Sequence, residues 1–418
     1  MELAKKKQNQ INPTIPENKT MYKILVLIGF VHLLNDAIQA VVPAMFPILE
    51  QSMRLTYMQL GLIAFALNLT ASIIQPVVGI YTDRKASPYA LPIGLCFTFF
   101  GVIGLAYAPS FGLIILSVIF IGLGSATFHP EGSRVAYMAA GSQKKRGLAQ
   151  SIFQVGGNTG QALAPVITAL VLVPLGQGGA IWFAGLAALA VFLLMYIARW
   201  YSEQMNIQAA LKKETKSQVK VTSPMDKEKK KIVVFSITLL IFLVFARSWF
   251  HAGMTNFYAL YTIEKFSLTI PQAQVYLFVF LAAGAVGTFL GGPMSDRFGK
   301  RNMIFFSMLG SAPLAVLLPF VGAEFSYLLV ALIGFIILSS FSVTVVYAQE
   351  LVPGKIGTVS GLIIGLAFGM GAVGSIALGW FADQVGLANM ILALAFLPLI
   401  GILTVFLPKD QRLKEINS

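Results

Sequence analysis

The 418-residue chain is 57% hydrophobic and 11% charged, with a mean hydropathy of +0.78. A soluble fold of this length would not have enough polar groups to cover so much apolar surface, so these values exclude a soluble globular protein and indicate an integral membrane protein. The lone Cys96 excludes an internal disulfide and a cysteine-based metal cluster.

Apolar runs of about 20 residues, long enough to cross the hydrocarbon as helices, recur along the whole sequence. They predict an all-α membrane protein with twelve transmembrane helices. The predicted helices 1 to 12 lie at residues 24–49, 57–81, 90–108, 111–133, 148–172, 180–199, 232–262, 272–294, 302–321, 325–349, 356–381 and 386–407.

The formal charge of +13 reflects membrane topology and does not indicate nucleic-acid binding. If the N-terminus is cytoplasmic, the outside loops contain only Arg54 and Lys265, while Arg134 and Arg247 lie within or at the end of helices. The rest of the 30 Lys and Arg residues then face the cytoplasm. This is the positive-inside pattern, which favours contact with anionic lipid. Both termini are therefore expected in the cytoplasm.

A polar, mostly basic segment at 203–231 divides the chain into an N-terminal six-helix bundle (1–202) and a C-terminal one (232–418). We interpret the segment as a cytoplasmic linker. The halves also repeat in sequence, because the second helix of each ends in Asp-Arg, at Asp83 and at Asp296. Parallel six-helix repeats related by a pseudo-twofold axis are typical of transporters whose halves rock around a central site.

Predicted helix 1 carries His32, Asp36 and Gln39 on one face, with Asn35 beside them. An ionised Asp at membrane depth costs about 2.5–3.5 kcal/mol on insertion scales, so it should face a cavity or a partner. Two interpretations remain open: a proton-coupling and substrate-binding face, or a buried interhelical hydrogen bond or ion pair.

Predicted helix 4 ends in FHPEGSR, where Pro130 removes a backbone donor beside His129. Glu131 and Arg134 stand at i and i+3, so they can form a helix-end ion pair. Alternatively, Glu131 changes its protonation as the cavity changes access. Asp36 is the rival proton carrier, and the two residues can share the task.

Predicted helix 5 has two different faces. Gln150, Gln154, Asn158 and Gln161 form a neutral polar stripe. Gly156, Gly160 and Ala164 form a stripe of small residues that lets another backbone approach closely. Predicted helix 11 repeats only the packing stripe, with glycines at 357, 361, 365 and 369.

Predicted helix 7 carries Arg247, His251 and Tyr258 on one face. The arginine fork suits phosphate-like or carboxylate oxygens, so we expect this face to contact the anionic group of a substrate. Asn35, Gln39, Gln154 and Asn158 would orient the rest of it, with His32 and His129 nearby. The alternative is that Arg247 neutralises Asp36, which lies at a similar depth in the other half.

Two loop motifs follow the second helix of each half. Their residues are Gly79, Asp83 and Arg84 in the first half, and Gly292, Asp296, Arg297, Gly299, Lys300 and Arg301 in the second. The second copy resembles the loop motif between helices 2 and 3 of the major facilitator superfamily. The first copy lacks the glycine and the later basic residues.

Four segments are similar to the fosmidomycin-resistance group of bacterial drug exporters: LLNDAIQAVVPAMFPIL (33–49), QPVVGIYTD (75–83), FHPEGSRVA (128–136) and RGLAQSIFQVGGNTGQALAP (146–165). The resemblance implies export of the phosphonate fosmidomycin in exchange for protons. It further implies a multi-pass monomer in the bacterial cytoplasmic membrane whose partners are protons and a small anionic substrate, with no cofactor.

Two other functions, that of an enzyme and that of a symporter, can be compared with drug export. The three histidines lie on three helices without a metal-binding spacing, so we expect no metal site and no enzymatic activity. A proton-driven symporter that takes up an organic anion would use the same fold and buried acids, and the sequence leaves the direction of transport open.

Overall fold

The computed structural model describes residues 20–84, 87–141, 146–214, 227–352 and 356–417. Within these ranges, 12 helices are long and apolar enough to cross a membrane, which confirms the predicted fold class. In chain order, α1 to α12 are Tyr22–Ala44, Tyr57–Arg84, Ala90–Tyr107, Phe111–Ala139, Arg146–Ile167, Ile181–Glu214, Lys227–Phe266, Ile270–Phe298, Lys300–Leu309, Ala323–Leu338 continued by Phe341–Leu351, Ile356–Val385, and Leu387–Leu394.

Several spans continue beyond these bounds through irregular turns. A π-helical turn extends α5 over Thr168–Leu172. The span of α9 continues through a second helical piece, Ala312–Leu317, and a 3-10 turn, Leu318–Phe320, and that of α12 continues through the 3-10 stretch Leu397–Phe406. A short helix, Phe46–Met53, follows α1, and the chain ends in the polar helix Asp410–Asn417.

The predicted linker is partly helical. Helix α6 runs to Glu214 and α7 begins at Lys227, whereas hydropathy placed the ends at 199 and 232. A helix that leaves the membrane needs no apolar residues to continue, and this segment is rich in Glu, Gln, Ala and Lys, which favour helix. Residues 215–226 lie outside the described part of the chain.

The stripe of small residues on α5 packs against the backbone of α1, as expected. A Cβ at Gly156 would meet the carbonyl oxygen of Gly29, and one at Gly160 would meet that of Leu33. Gly157 faces the same helix, because a Cβ there would lie 2.5 Å from Nε2 of His32. This close contact sets the depth and rotation of α1 against α5.

The halves meet along α2 with α11 and along α5 with α8. We call the end of the bundle where α1 begins the terminal face, and the other end the opposite face. At the opposite face, the Asp383 carboxylate of α11 accepts hydrogen bonds from the first two backbone N–H groups of α2, Tyr57 at 2.9 Å and Met58 at 2.8 Å. Gln274 of α8 donates to the Ala44 carbonyl at 3.0 Å. These bonds join the two halves.

Candidate functional site

Asp36 is the centre of a polar cluster inside the first half. Its carboxylate is buried, with 3% of the residue exposed. Asn35 donates to Oδ1 at 3.0 Å, Gln39 donates to Oδ1 at 3.5 Å, and Gln161 of α5 donates to Oδ2 at 3.0 Å. Three amide donors can stabilise a carboxylate removed from water.

Two histidines complete the Asp36 cluster. The Nε2 atoms of His32 and His129 lie 3.4 Å and 3.6 Å from Asp36 Oδ1. The His32 ring stacks on Phe153, and its Nδ1 lies 2.7 Å from the Phe153 carbonyl oxygen. Because a carbonyl only accepts, this nitrogen carries a proton, and a neutral His32 turns the lone pair of Nε2 toward the carboxylate. The cluster therefore has a place for one more proton.

The structure adds His129 of α4 to His32 and Asp36, which the sequence had already placed on one face of helix 1. The ligand-type atoms of His32, Asp36 and His129 all lie within 4.8 Å of one another, a set that could hold a metal ion. Asp36 Oδ1 already accepts two amide hydrogen bonds, with which an ion would have to compete. We therefore describe the set as a hydrogen-bonded cluster and assign it no metal.

Arg247 of α7 is buried, with 5% of the residue exposed. Its Nη1 donates to the hydroxyls of Ser340 at 3.4 Å and Thr344 at 3.3 Å, and its guanidinium lies over the Phe341 ring at 5.1 Å. Within the described residues, no carboxylate lies within 4.0 Å of it. The alternative pairing of Arg247 with Asp36 is not present in this structure, where Asp36 contacts the two histidines.

The other two residues predicted on the face of Arg247 separate. His251, one turn further along α7, is half-buried, and its ring lies 5.9 Å from that of Phe280. Tyr258 lies roughly 16 Å further along the helix than Arg247. It packs against the rings of Tyr261 and Tyr276 in the core. Tyr258 and Arg247 therefore lie in different surroundings in this structure.

Glu131 of α4 forms the ion pair that the sequence offered as an alternative to proton carriage. It is fully buried, its Oε2 accepts from the Tyr201 hydroxyl at 3.1 Å, and its Oε1 lies 3.5 Å from Arg134 Nε. Arg134 also donates to the Thr82 carbonyl at 2.8 Å, near the end of α2. Glu131 therefore faces α6 and α2, while His129 on the other side of α4 faces Asp36.

The polar stripe of α5 extends from the Asp36 cluster. Gln154 is exposed and donates to Asn158 at 3.2 Å. On α5, Gln154 lies about two turns before Gln161 and Asn158 lies nearly one turn before it. The side chain of Gln150 lies outside the described residues. Exposed amides at membrane depth belong in a water-filled cavity.

The second loop motif is tied to the end of its own half. Gly299, with a φ of 86°, connects α8 to α9, and Asp410 accepts from the backbone N–H groups of Lys300 at 2.8 Å and Arg301 at 3.4 Å. The Lys300 side chain pairs with Glu350 at 3.0 Å. Arg297 is exposed; Gly79 and Gly292 lie within helices and have open space beside them. The side chains of Asp83, Arg84 and Asp296 lie outside the described residues.

Sequence reasoning missed several residues of these sites. Gln161 was in the polar stripe but was not selected as a site residue, and Gly157 touches His32 without belonging to either predicted stripe. Ser340 and Thr344 escaped notice, although the run SSFSVT (339–344) interrupts an apolar segment with hydroxyl groups.

Comparison with known proteins decides the family. The model of the Major Facilitator Superfamily matches residues 25–374. The chain belongs to this superfamily. It is 59% identical over 399 residues to a transporter of the superfamily from Bacillus subtilis (strain 168), YfnC, covering 96% of both chains. It is 44% identical over 397 residues to the fosmidomycin resistance protein of Escherichia coli (strain K12), covering 95% of both. The resemblance expected from the sequence is confirmed.

Solved structures support the same fold. A bacterial homologue of the human lysosomal transporter Spinster, in an inward-facing and unoccupied conformation, superposes with a TM-score of 0.72 at 14% identity, covering 94% of this chain and 98% of the other. The nucleoside transporter NupG superposes with a TM-score of 0.67 at 13% identity, covering 96% and 100%. Identities this low show the fold alone. The relatives and the fold are those of membrane transporters.

Proposed function

We propose that the protein is a secondary transporter that exports a small anionic drug, such as the phosphonate fosmidomycin, by drug/proton antiport with alternating access. The similarity to the Escherichia coli fosmidomycin resistance protein supports the choice of substrate. The superfamily supports the transport of a small molecule across a membrane.

The observation that carries the proposal is a buried cation without a counter-charge. Arg247 has only neutral hydroxyl groups as hydrogen-bond partners among the described residues, and Asp36, the alternative partner that the sequence offered, belongs to a separate cluster. A buried charge is costly until it is paired, so Arg247 favours the arrival of an anion. A planar fork of donors suits an oxyanion.

We assign the main role in proton transport to Asp36. A proton added to its cluster can reside on His32, on His129 or on the carboxylate, since all three contact one another. Glu131 is a second, auxiliary site: its ion pair with Arg134 and its bond from Tyr201 hold its charge in place, so a proton there would loosen the link from Arg134 to Thr82.

The polar groups around Asp36 would orient the uncharged part of the substrate. Those with amide groups are Gln154 and Asn158, which lie on the exposed part of the α5 stripe, and Asn35 and Gln39, which also bind Asp36. His251 extends the anion-binding side by one helical turn from Arg247. We place the terminal face in the cytoplasm of a bacterium, on the basic-residue pattern, and the protein as a monomer in the cytoplasmic membrane.

Uptake by proton symport is the alternative function. It uses the same anion site and the same protonatable cluster, and differs in whether substrate and proton bind together or in exchange. Antiport and symport differ in the direction of the proton gradient that drives accumulation of the substrate in membrane vesicles.

Arg247→Lys tests the anion site. Lysine keeps the positive charge but loses the fork and its position over Phe341, so we expect roughly tenfold weaker fosmidomycin binding by the purified protein and a matching rise of drug accumulation in cells. The protein should still insert and elute as a single species. Unchanged affinity would assign Arg247 a structural role only.

A further inference from the structure

Helix α10 is interrupted in the middle of its membrane span. Its first part ends at Leu338, and its second part, Phe341–Leu351, begins after Ser339 and Ser340. Thr288 of α8 donates to the Leu338 carbonyl at 3.1 Å. Backbone outside regular helix at membrane depth must bind protein groups or line a polar cavity.

The break is surrounded by three hydroxyl groups, those of Ser307, Ser340 and Thr344, each with 2% or less of the residue exposed. Ser307 of α9 donates to Ser340 at 2.6 Å, and Thr344 donates to the Ser340 carbonyl at 2.7 Å. Arg247 reaches Ser340 and Thr344 through Nη1 alone; within the described residues its Nη2 and Nε make no hydrogen bond. The buried guanidinium thus contacts the break through one nitrogen, and its other two nitrogens have no hydrogen-bond partner among the described residues.

Three kinds of donor are present in this part of the molecule. Arg247 supplies the unbound edge of its guanidinium, and Ser340 supplies a hydroxyl that can rotate to donate. The second part of α10 supplies its N-terminus, whose first N–H groups have no acceptor inside that helix and carry partial positive charge. Ser340, its N-cap residue, makes no capping bond with its side chain.

We propose that Arg247, Ser340 and the N-terminus of Phe341–Leu351 form a subsite for a tetrahedral oxyanion, with Ser307 and Thr344 as positioning residues. This inference rests on the proposed function and specifies its anion site. A phosphonate has three oxygens, one for each kind of donor. A planar carboxylate has two oxygens, so it leaves one buried donor set unsatisfied and binds more weakly.

The test compares two ligands on purified full-length protein in lipid nanodiscs. The probes are fosmidomycin and its analogue in which a carboxylate replaces the phosphonate, with binding measured by titration calorimetry. We expect the wild-type protein to bind the phosphonate at least about tenfold more tightly than the carboxylate, because buried donors left unpaired give strong discrimination.

Ser340→Ala removes the rotating hydroxyl and should reduce phosphonate affinity by about tenfold while changing carboxylate affinity by less than about threefold. Thr344→Ser retains the hydroxyl and should keep the discrimination, which checks that the site still folds. Ser117→Ala is the matched control, since the buried hydroxyl of Ser117 in α4 bonds the Leu113 carbonyl at 2.6 Å and lies in the other half of the molecule. Its affinities should equal those of the wild type.

Absence of phosphonate binding to the wild-type protein, equal affinity for both ligands, or equal losses for both ligands in Ser340→Ala would each overturn the subsite. Discriminating binding without accumulation driven by a pH gradient would support the subsite and contradict the transport mechanism. The two failures are therefore distinguishable.

Discussion

At the scale of single residues, the two halves hold opposite charges that do not meet. Asp36 is surrounded by amides and histidines, and Arg247 by hydroxyls and one aromatic ring. Each is a charge that a mobile partner can compensate: a proton for the first, an oxyanion for the second. Under the antiport proposed above, this separation would allow the proton and the oxyanion to be exchanged within one molecule.

Asp36→Asn and Glu131→Gln test which acid carries the coupled proton. Asparagine preserves the shape of Asp36 but cannot be protonated, so we expect pH-driven accumulation of drug to fall more than tenfold while drug-for-drug exchange continues. Glu131→Gln should produce a smaller loss, because its ion pair with Arg134 retains the charge of Glu131. The reverse order in reconstituted vesicles would make Glu131 the main carrier.

At the scale of elements, the rotation of α1 against α5 determines which polar groups meet. Gly156 lets the backbone of α5 approach that of Gly29, and this contact turns His32 and Asp36 toward Gln161. A side chain at the crossing would separate the helices and open the cluster.

Gly156→Ala therefore should lower the free energy of unfolding by about 1–3 kcal/mol, because its Cβ would meet a backbone carbonyl that cannot turn aside. Gly185→Ala in α6, where a Cβ meets nothing within 4 Å, is the control. Thermal unfolding in detergent measures both. Equal midpoints of thermal unfolding for Gly156→Ala and the wild type would contradict the packing role of the crossing between α5 and α1.

The elements also explain how far the sequence could predict the site. Hydropathy located the helices, and the helical period placed His32 with Asp36 and Gln154 with Asn158, because both patterns lie within one helix. Contacts between side chains on different helices could not be predicted from the helical period. The sequence offered Arg247 of another helix as a partner of Asp36, whereas the helix packing brings His129 of α4 to it. The break of α10 had a signal in Ser339 and Ser340, but serines also occur in unbroken membrane helices.

At the scale of the whole molecule, the two halves are joined at the opposite face. There the Asp383 carboxylate of the second half binds the N-terminus of α2 in the first half. Asp383 binds two N–H groups of α2 at once, and the Tyr57 hydroxyl donates to Glu264 of α7 at 3.3 Å. Opening of this face must break these bonds, so we expect Asp383 to influence the balance between its closed and open states.

Asp383→Asn removes the charge and one acceptor, which should cost the closed state about 1–2 kcal/mol and raise the population open at this face by roughly tenfold. Spin labels at Gln51 and Glu324, both exposed, would report a longer distance across the face. Asn389→Ala is the control, since Asn389 bonds only within its own half, to the Val385 carbonyl. An unchanged distance distribution in Asp383→Asn would exclude a role as a latch.

In the proposed mechanism, an inward flow of protons drives an outward flow of anionic drug. Everted membrane vesicles with an acidified lumen test it most directly, because their outer surface is the cytoplasmic one. We predict that labelled fosmidomycin accumulates in the lumen, that a protonophore abolishes the accumulation, and that vesicles with Arg247→Lys accumulate less. Accumulation that requires an alkaline lumen, or that does not depend on the pH gradient, would contradict drug/proton antiport.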